Sequence, residues 1–250
     1  MADLHTLPRI FTSSQLANGS SFSVDEKQGH YLGNVLRLEN DAKIRIFNGK
    51  DGEWLGHIYC VKSGKKHGNT LNVVLDNKIR DQVVEPDLWL CCAPIKKAYF
   101  DFIIMKATEL GVAHIQPILT SRTQVRDLNR ERLVSIAIEA SEQSERLNIP
   151  EISAPVTLDK LIEDWPKDRL PLICAEAGKA LPINEALIKN PSQHPTIVVG
   201  PEGGFEMGEL EKLCAMPGAV ALRLGPRILR ADTAALAALS CWQSICGDWK

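Results

Sequence analysis

The rhythm of hydrophobic and polar positions changes about a third of the way along the chain. Up to about Leu75 the apolar runs are short and alternate with polar residues. AKIRIF and EWLGHIYCV read as strands, and NTLNVVLD as a third. The first two flank NGKDG, whose Asn48-Gly49 and Asp51-Gly52 pairs are strong turn formers. SVDEKQGHYLGNVLRL places Tyr31 and Leu32, then Val35 and Leu36, on the apolar face of a short amphipathic helix. Short strands, tight turns and one helix predict a small β-barrel over residues 1–75, a form that often carries RNA-binding surfaces. DNKIRDQVVEPD is polar and unpatterned, so 76–87 is expected to be a linker. From residue 88 onward LWLCCAP, HIQPIL, LPLICAEA, TIVVG and AVALRLG alternate with YFDFIIMKATELG, NRERLVSIAIEASEQSER, MGELEKLCAM and TAALAALSCWQSIC. Continuous apolar runs mark strands covered on both faces, so 88–250 is expected to be an α/β domain with a mainly parallel sheet.

Composition narrows the class. With 44% hydrophobic and 24% charged residues and a net charge of -2, the chain is neither fibrous nor disordered, and any grip on nucleic acid must come from local patches. No apolar run approaches the roughly 20 residues of a membrane span, and MADLHTLPRIF lacks a signal-peptide layout, so a cytosolic protein is expected. The seven cysteines include no CxxC pair, which gives neither a zinc site nor a disulfide framework. Most stand among apolar neighbours and read as buried small hydrophobes in a reducing compartment.

The chemistry concentrates in two loops. IVVGPEGGF sets glycines at the end of a strand, where ligands of open α/β sheets bind. It lacks the Lys-Ser/Thr of a nucleoside-triphosphate loop and is not GxGxxG. Its only charge, Glu202, repels phosphate and suits a cationic or neutral nucleoside; alone, the stretch reads first as a plain structural turn. AVALRLGPRILRADTAAL repeats the construction about twenty residues later. There Asp232 or Thr233 can cap a helix so apolar that it must be buried in its own domain or against a second subunit.

Taken together, IVVGPEGGF, LRLGPRILRADTA, MKATELGV and EASEQSER, with PRIF and HYLGNVLRL in the amino half, resemble the bacterial 16S ribosomal RNA uridine-N3 methyltransferases of the knotted SPOUT superfamily. The resemblance covers nearly the whole chain. It implies a PUA-like amino domain, a trefoil knot at the carboxyl end, S-adenosylmethionine as cofactor, no metal, and a homodimer acting on 16S rRNA in the assembled small ribosomal subunit. Carried over position by position, donor contacts fall on Ala175, Glu176, Val199, Gly200, Pro201, Glu202, Gly203, Gly204, Leu222, Leu224, Gly225, Ile228 and Leu229. Gly203 is expected to be a place where backbone must approach the donor. Departures from the family pattern are Asp232 where glutamate is common, no glycine before the arginine of EQSER, and no glycine in IKKAYFD.

A uridine N3 becomes nucleophilic only as its proton leaves, and an arginine beside the ring oxygens stabilises that anion. Arg230 is the expected arginine, with an ion pair to Asp232 as its alternative. In EASEQSER the residues Glu139, Glu142, Gln143 and Arg146 can share a helix face, as an ion-pair ladder or as groups reaching the target; Glu142 and Arg146 are the candidates there. RNA-binding candidates are Arg9, Arg37, Lys62, Lys65, Lys66, Lys96, Lys97, Arg122 and Arg126, each otherwise a solvated charge. His30 is read as packing or capping rather than stacking on a base. Two other functions stay open: a related knotted enzyme acting on tRNA, and a non-catalytic RNA-binding assembly factor.

Overall fold

The computed structural model describes residues 4–61, 70–175 and 180–249. They fall into two compact units, one of residues 1–84 with 142–148 and one of 85–141 with 149–250.

In the first unit, β1 (Arg9–Phe11), β2 (Ser21–Ser23), β3 (Lys43–Phe47), β4 (Glu53–Val61) and β5 (Thr70–Arg80) form one sheet in the order β1-β3-β4-β5-β2. Only β1 and β3 pair in parallel. Alternation puts Ile44, Ile46, Trp54, Ile58, Leu71, Val73 and Leu75 into a core closed by Ile10, Leu16 and Leu32. Asn48 makes the predicted turn by accepting the backbone N–H groups of Lys50 and Asp51.

Two expectations need correction here. Helix α1 (Glu26–His30), capped by Asp25, passes into a single π turn over Tyr31–Val35. The wider turn rotates the later residues off the expected face, so Leu32 is buried while Tyr31, Val35 and Leu36 are exposed. The expected linker also starts inside β5, because polar residues Asn77, Lys78 and Arg80 pair with Leu55, Trp54 and Glu53. An unpatterned polar strand leaves no period to read.

The second unit holds β6 (Trp89–Cys92), α2 (Lys97–Glu109), β7 (His114–Leu119), α3 (Arg130–Gln143), β8 (Glu151–Ile152), β9 (Val156–Thr157) and α4 (Leu158–Glu163). It continues through β10 (Leu170–Cys174), β11 (Leu181–Pro182), α5 (Ile183–Lys189), β12 (Pro195–Val199), α6 (Met207–Cys214), β13 (Val220–Arg223) and α7 (Ala231–Ile245). Its strands run in the order β11-β13-β10-β12-β6-β7-β8, every pair parallel. The last strand of the chain thus sits between two earlier ones, β10 and β11. Leu90, Cys92, Leu172, Ile197 and Val199 face one core, and Cys91, Ala93, Ile173 and Val198 the other. Burial on both faces is why these strands read as unbroken apolar runs. Adjacent Cys91 and Cys92 therefore point to opposite sides; burial raises both thiols, Cys92 to about 12, so neither is a nucleophile.

Helix α7 buries Ala231, Ala235, Ala238, Leu239 and Trp242 and leaves Leu236, Ala237 and Cys241 half-buried. Arg230 is its N-cap residue and makes no side-chain capping bond; Asp232, expected to cap, accepts from the neighbouring Thr233 N–H. Among the described residues no helix is long and apolar enough to cross a membrane.

Candidate active site

Strands β13, β10 and β12 are neighbours in a parallel sheet, so the loops leaving their carboxyl ends converge. Between these loops lies a cavity of about 270 Å³. Ala175 enters it from β10. Val199, Gly200, Pro201, Glu202, Gly203 and Gly204 enter from β12, and Leu222, Leu224, Gly225, Ile228 and Leu229 from β13. The folded chain thus gathers twelve of the thirteen expected donor residues around one space; Glu176 lies outside the described residues. Apolar walls from Leu222, Leu224, Ile228 and Leu229 suit a flat base, and Glu202 is the one carboxylate among the described lining residues. The lining residues the sequence reading did not single out are mainly Phe205, Leu210 and the first turn of α7, Ala231 and Ala234.

The GPEGG loop closes on itself. Pro201 C=O accepts from Gly204 N–H at 2.8 Å, and Gly204 adopts φ 68°. Glu206 and Glu209 then start α6 with a reciprocal capping box. In the second loop Gly225 has φ 100°. Left-handed backbone of this kind strains any residue with a Cβ, so the need for glycine falls on Gly204 and Gly225. Gly203 is different: its φ is ordinary, and an added Cβ would meet only the Arg122 side chain, at 3.4 Å.

Arg230 stands between two lining residues, Leu229 and Ala231, with its side chain 58% exposed. The alternative ion pair to Asp232 is long, 4.0 Å. The other partner of Arg230 is Tyr99 in the first turn of α2, whose ring centroid lies 4.3 Å from the guanidinium carbon. A side-chain hydrogen bond to Tyr99, and then the charges of Asp232 and Glu202, raise the Arg230 pKa further, so it stays a cation. Tyr99 escaped the sequence reading because YFDFIIMKATELG reads only as a helix.

Several expected site residues do other work. Helix α3 ends at Gln143 and Glu145 takes φ 59°, so Arg146 is not on the face of Glu139 and Glu142. This left-handed residue stands where the family pattern commonly has glycine. Glu142 and Arg146 belong to the first unit. Glu142 accepts from Phe11 N–H at 2.9 Å, and the buried Arg146 offers its carbonyl to Arg9 at 2.8 Å. Both therefore have a structural part in the first unit.

Arg9 is likewise no phosphate contact. It is 6% exposed, donates to Glu53 at 2.5 Å and lies 3.7 Å over the Phe47 ring. Burial lowers its pKa and Glu53 opposes the shift. Arg45 and Arg80 also approach Glu53, at 3.7 and 3.4 Å. Glu145 accepts from Arg45 at 2.8 Å and contacts His5 at 2.9 Å; these partners, Arg45 first, hold its carboxyl down to about 2. The charge cluster of EASEQSER therefore ties residues 142–148 over β3, whose second face carries the buried Arg45 and Phe47.

Among the remaining basic candidates, Arg122 lines the cavity and donates to Gly203 C=O at 2.6 Å. Lys96 and Lys97 are exposed just beyond β6, on the same sheet edge as the cavity, and Arg37 and Arg126 are exposed as well. His30 is exposed too, so it does not pack as expected, and it makes no side-chain capping bond. Lys62, Lys65 and Lys66 lie outside the described residues.

Known proteins give this geometry a family. Residues 84–243 match the family model described as RNA methyltransferase domain, and residues 24–59 match RNA methyltransferase PUA domain. The chain is 37% identical to Ribosomal RNA small subunit methyltransferase E of Rickettsia conorii over 239 residues, 93% of each chain. A Legionella pneumophila methyltransferase solved with bound S-adenosylmethionine is 31% identical, with TM-score 0.85 over 97% of this chain and 99% of that one. The Ribosomal RNA small subunit methyltransferase E of Neisseria gonorrhoeae, also bound to S-adenosylmethionine, is 29% identical with TM-score 0.84, over 98% and 100%. With β13 inserted between β10 and β11 beneath a loop-built cavity, the chain belongs to the RNA methyltransferase family, in its knotted SPOUT form joined to a PUA domain.

Proposed function

We propose that this protein uses S-adenosylmethionine to methylate N3 of one uridine in 16S rRNA, acting in the cytoplasm as a homodimer on the assembled small subunit. The observation that carries the proposal is the cavity at the ends of β10, β12 and β13. Among the described residues it joins apolar walls, glycine-shaped backbone and one carboxylate, Glu202, with Arg122, Arg223 and Arg227 at its margin and no lysine of the kind that grips a triphosphate. That donor set fits a nucleoside with a positive sulfur. When bound, S-adenosylmethionine supplies an already activated methyl group, so the chain's share is alignment and electrostatics.

Leu222, Leu224, Ile228 and Leu229 hold the flat part of the donor, and Ala175 closes the wall beside them. Glu202 balances the positive centre. Arg230, a cation at the rim, stabilises charge on the uridine oxygens as the N3 proton leaves. Arg37, Lys96, Lys97 and Arg126 are the exposed charges proposed to meet phosphate. The half-buried stripe of α7 supports a second copy packing there; sedimentation of the purified protein checks this.

The test supplies purified protein and labelled donor to small subunits and to tRNA from cells lacking the protein, then separates nucleosides by mass spectrometry. N3-methyluridine in the 16S fraction is expected. Label only in tRNA, or none at N3 of any uridine, overturns the proposal.

A further inference from the structure

We infer that Tyr99 is a positioning residue for methyl transfer: its side chain restrains the Arg230 guanidinium at the cavity rim, leaving N–H groups to meet the uridine oxygens. This rests on the role proposed above for Arg230.

In the reaction uridine N3 yields its proton to solvent, its electron pair forms the bond to the methyl carbon, and the carbon–sulfur bond breaks with its pair returning to sulfur. Negative charge on the uracil oxygens precedes the new bond, so the arginine must be in place beforehand. Left alone, Arg230 would not be. Its side chain is 58% exposed, and Asp232 at 4.0 Å is at the limit of an ion pair. A long side chain in that setting spreads over many rotamers.

Tyr99 restrains it in a particular way. A carboxylate close enough to fix Arg230 would also neutralise it and occupy its donors. Tyr99 does not neutralise it: the guanidinium lies over the ring and hydrogen-bonds to the Tyr99 side chain, which leaves its remaining N–H groups for a substrate. The backbone that carries this ring is anchored, although Tyr99 itself is exposed. Tyr99 N–H donates to Lys96 C=O at 2.9 Å, and the next residue, Phe100, is 1% exposed in the core of the unit. Helix α2 follows β6, the strand next to β12, so the anchor belongs to the same sheet edge as the donor loops. Tyr99 thus couples a packed helix to an otherwise loose cation.

The experiment uses full-length protein and small subunits, with Tyr99→Leu, Tyr99→Phe and Arg230→Ala. Tyr99→Leu is expected to keep donor affinity and KM for subunits within about twofold while kcat falls roughly fivefold to thirtyfold, the span of an exposed to a desolvated cation–π contact. Its kcat is also expected to recover at higher pH, where uridine ionises without help. Tyr99→Phe, which keeps the ring, is expected to stay within about twofold of the wild type. Unchanged kcat in Tyr99→Leu, an equal loss at every pH, lost donor binding, or a Tyr99→Phe variant as slow as Tyr99→Leu overturns the inference. If Arg230→Ala keeps full activity, the reading of Arg230 fails and this one with it. If Arg230→Ala is inactive and Tyr99→Leu is not, only the role of Tyr99 fails.

Discussion

The loops after β12 and β13 and the segment 142–148 both stand out in the sequence as dense clusters of informative residues, and they have opposite fates. GPEGG and LGPRIL come together around one cavity. The charges of EASEQSER are spent on a distant strand: Glu145 meets Arg45, one hundred residues away, and the Arg146 carbonyl meets Arg9. A loop shaped by glycine and proline writes its geometry locally, because those residues restrict or release the backbone where they stand. A charge says nothing local about its job, since the partner that decides it can come from anywhere in the chain.

The largest expected effects test the structural side of that contrast. Glu53 is 2% exposed among Arg9, Arg45 and Arg80, so Glu53→Ala leaves buried guanidiniums without their carboxylate. A loss of about 3–5 kcal/mol in the stability of the first unit is expected, measured by hydrogen exchange in β3 and β4, with donor affinity unchanged. Preserved protection in those strands would mean the network is ornamental. Next in size, Arg230→Ala should lower kcat by about a hundredfold to a thousandfold, with calorimetry showing normal donor binding. Glu142→Gln, which keeps an oxygen for the Phe11 N–H, should leave turnover within about threefold. A reversal of these two results would return EASEQSER to the chemistry.

Smaller effects sharpen the reading of the loops. Gly225, at φ 100°, cannot take a branched side chain without strain, and Gly225→Val should weaken donor binding by about tenfold or more. Gly203→Ala should change it less than about twofold, because the new methyl meets only a flexible arginine. Equal losses at both positions would show that cavity volume, and not backbone conformation, sets affinity.

Much of the fold was legible for the same local reasons. The parallel sheet announced itself through runs such as TIVVG, and the first hairpin through NGKDG. The position of β13 between β10 and β11 was not legible, since strand order has no local signature, and the resemblance implied only a knot at the carboxyl end. Polar β5 beyond Leu75 and the π turn at Tyr31–Val35 broke the expected periods without changing composition. In the site, glycine spacing located the cavity but not which glycine matters, a question of φ. Arg230 was visible as a charge, whereas Tyr99 became visible only when α2 and the β13 loop met.

The smallest prediction asks whether the 142–148 network contributes to stability at all. Glu145 has its carboxyl held down to about 2 by Arg45 and then His5. A carboxyl depressed in the folded state adds stability that is fully present above its ordinary value near 4.5 and is lost as pH falls toward 2. The side chain is 29% exposed, so solvent screening reduces the contribution to about 1 kcal/mol. Urea midpoints of the wild type should therefore fall between pH 5 and pH 3 more steeply than those of Glu145→Gln, which has no charge to lose. Parallel curves would show that Arg45 gains nothing from Glu145 beyond what water offers. The segment would then be anchored by its other bonds, the Glu145 and Arg146 carbonyls accepting from Arg80 and Arg9 and the Glu142 carboxylate accepting from Phe11 N–H.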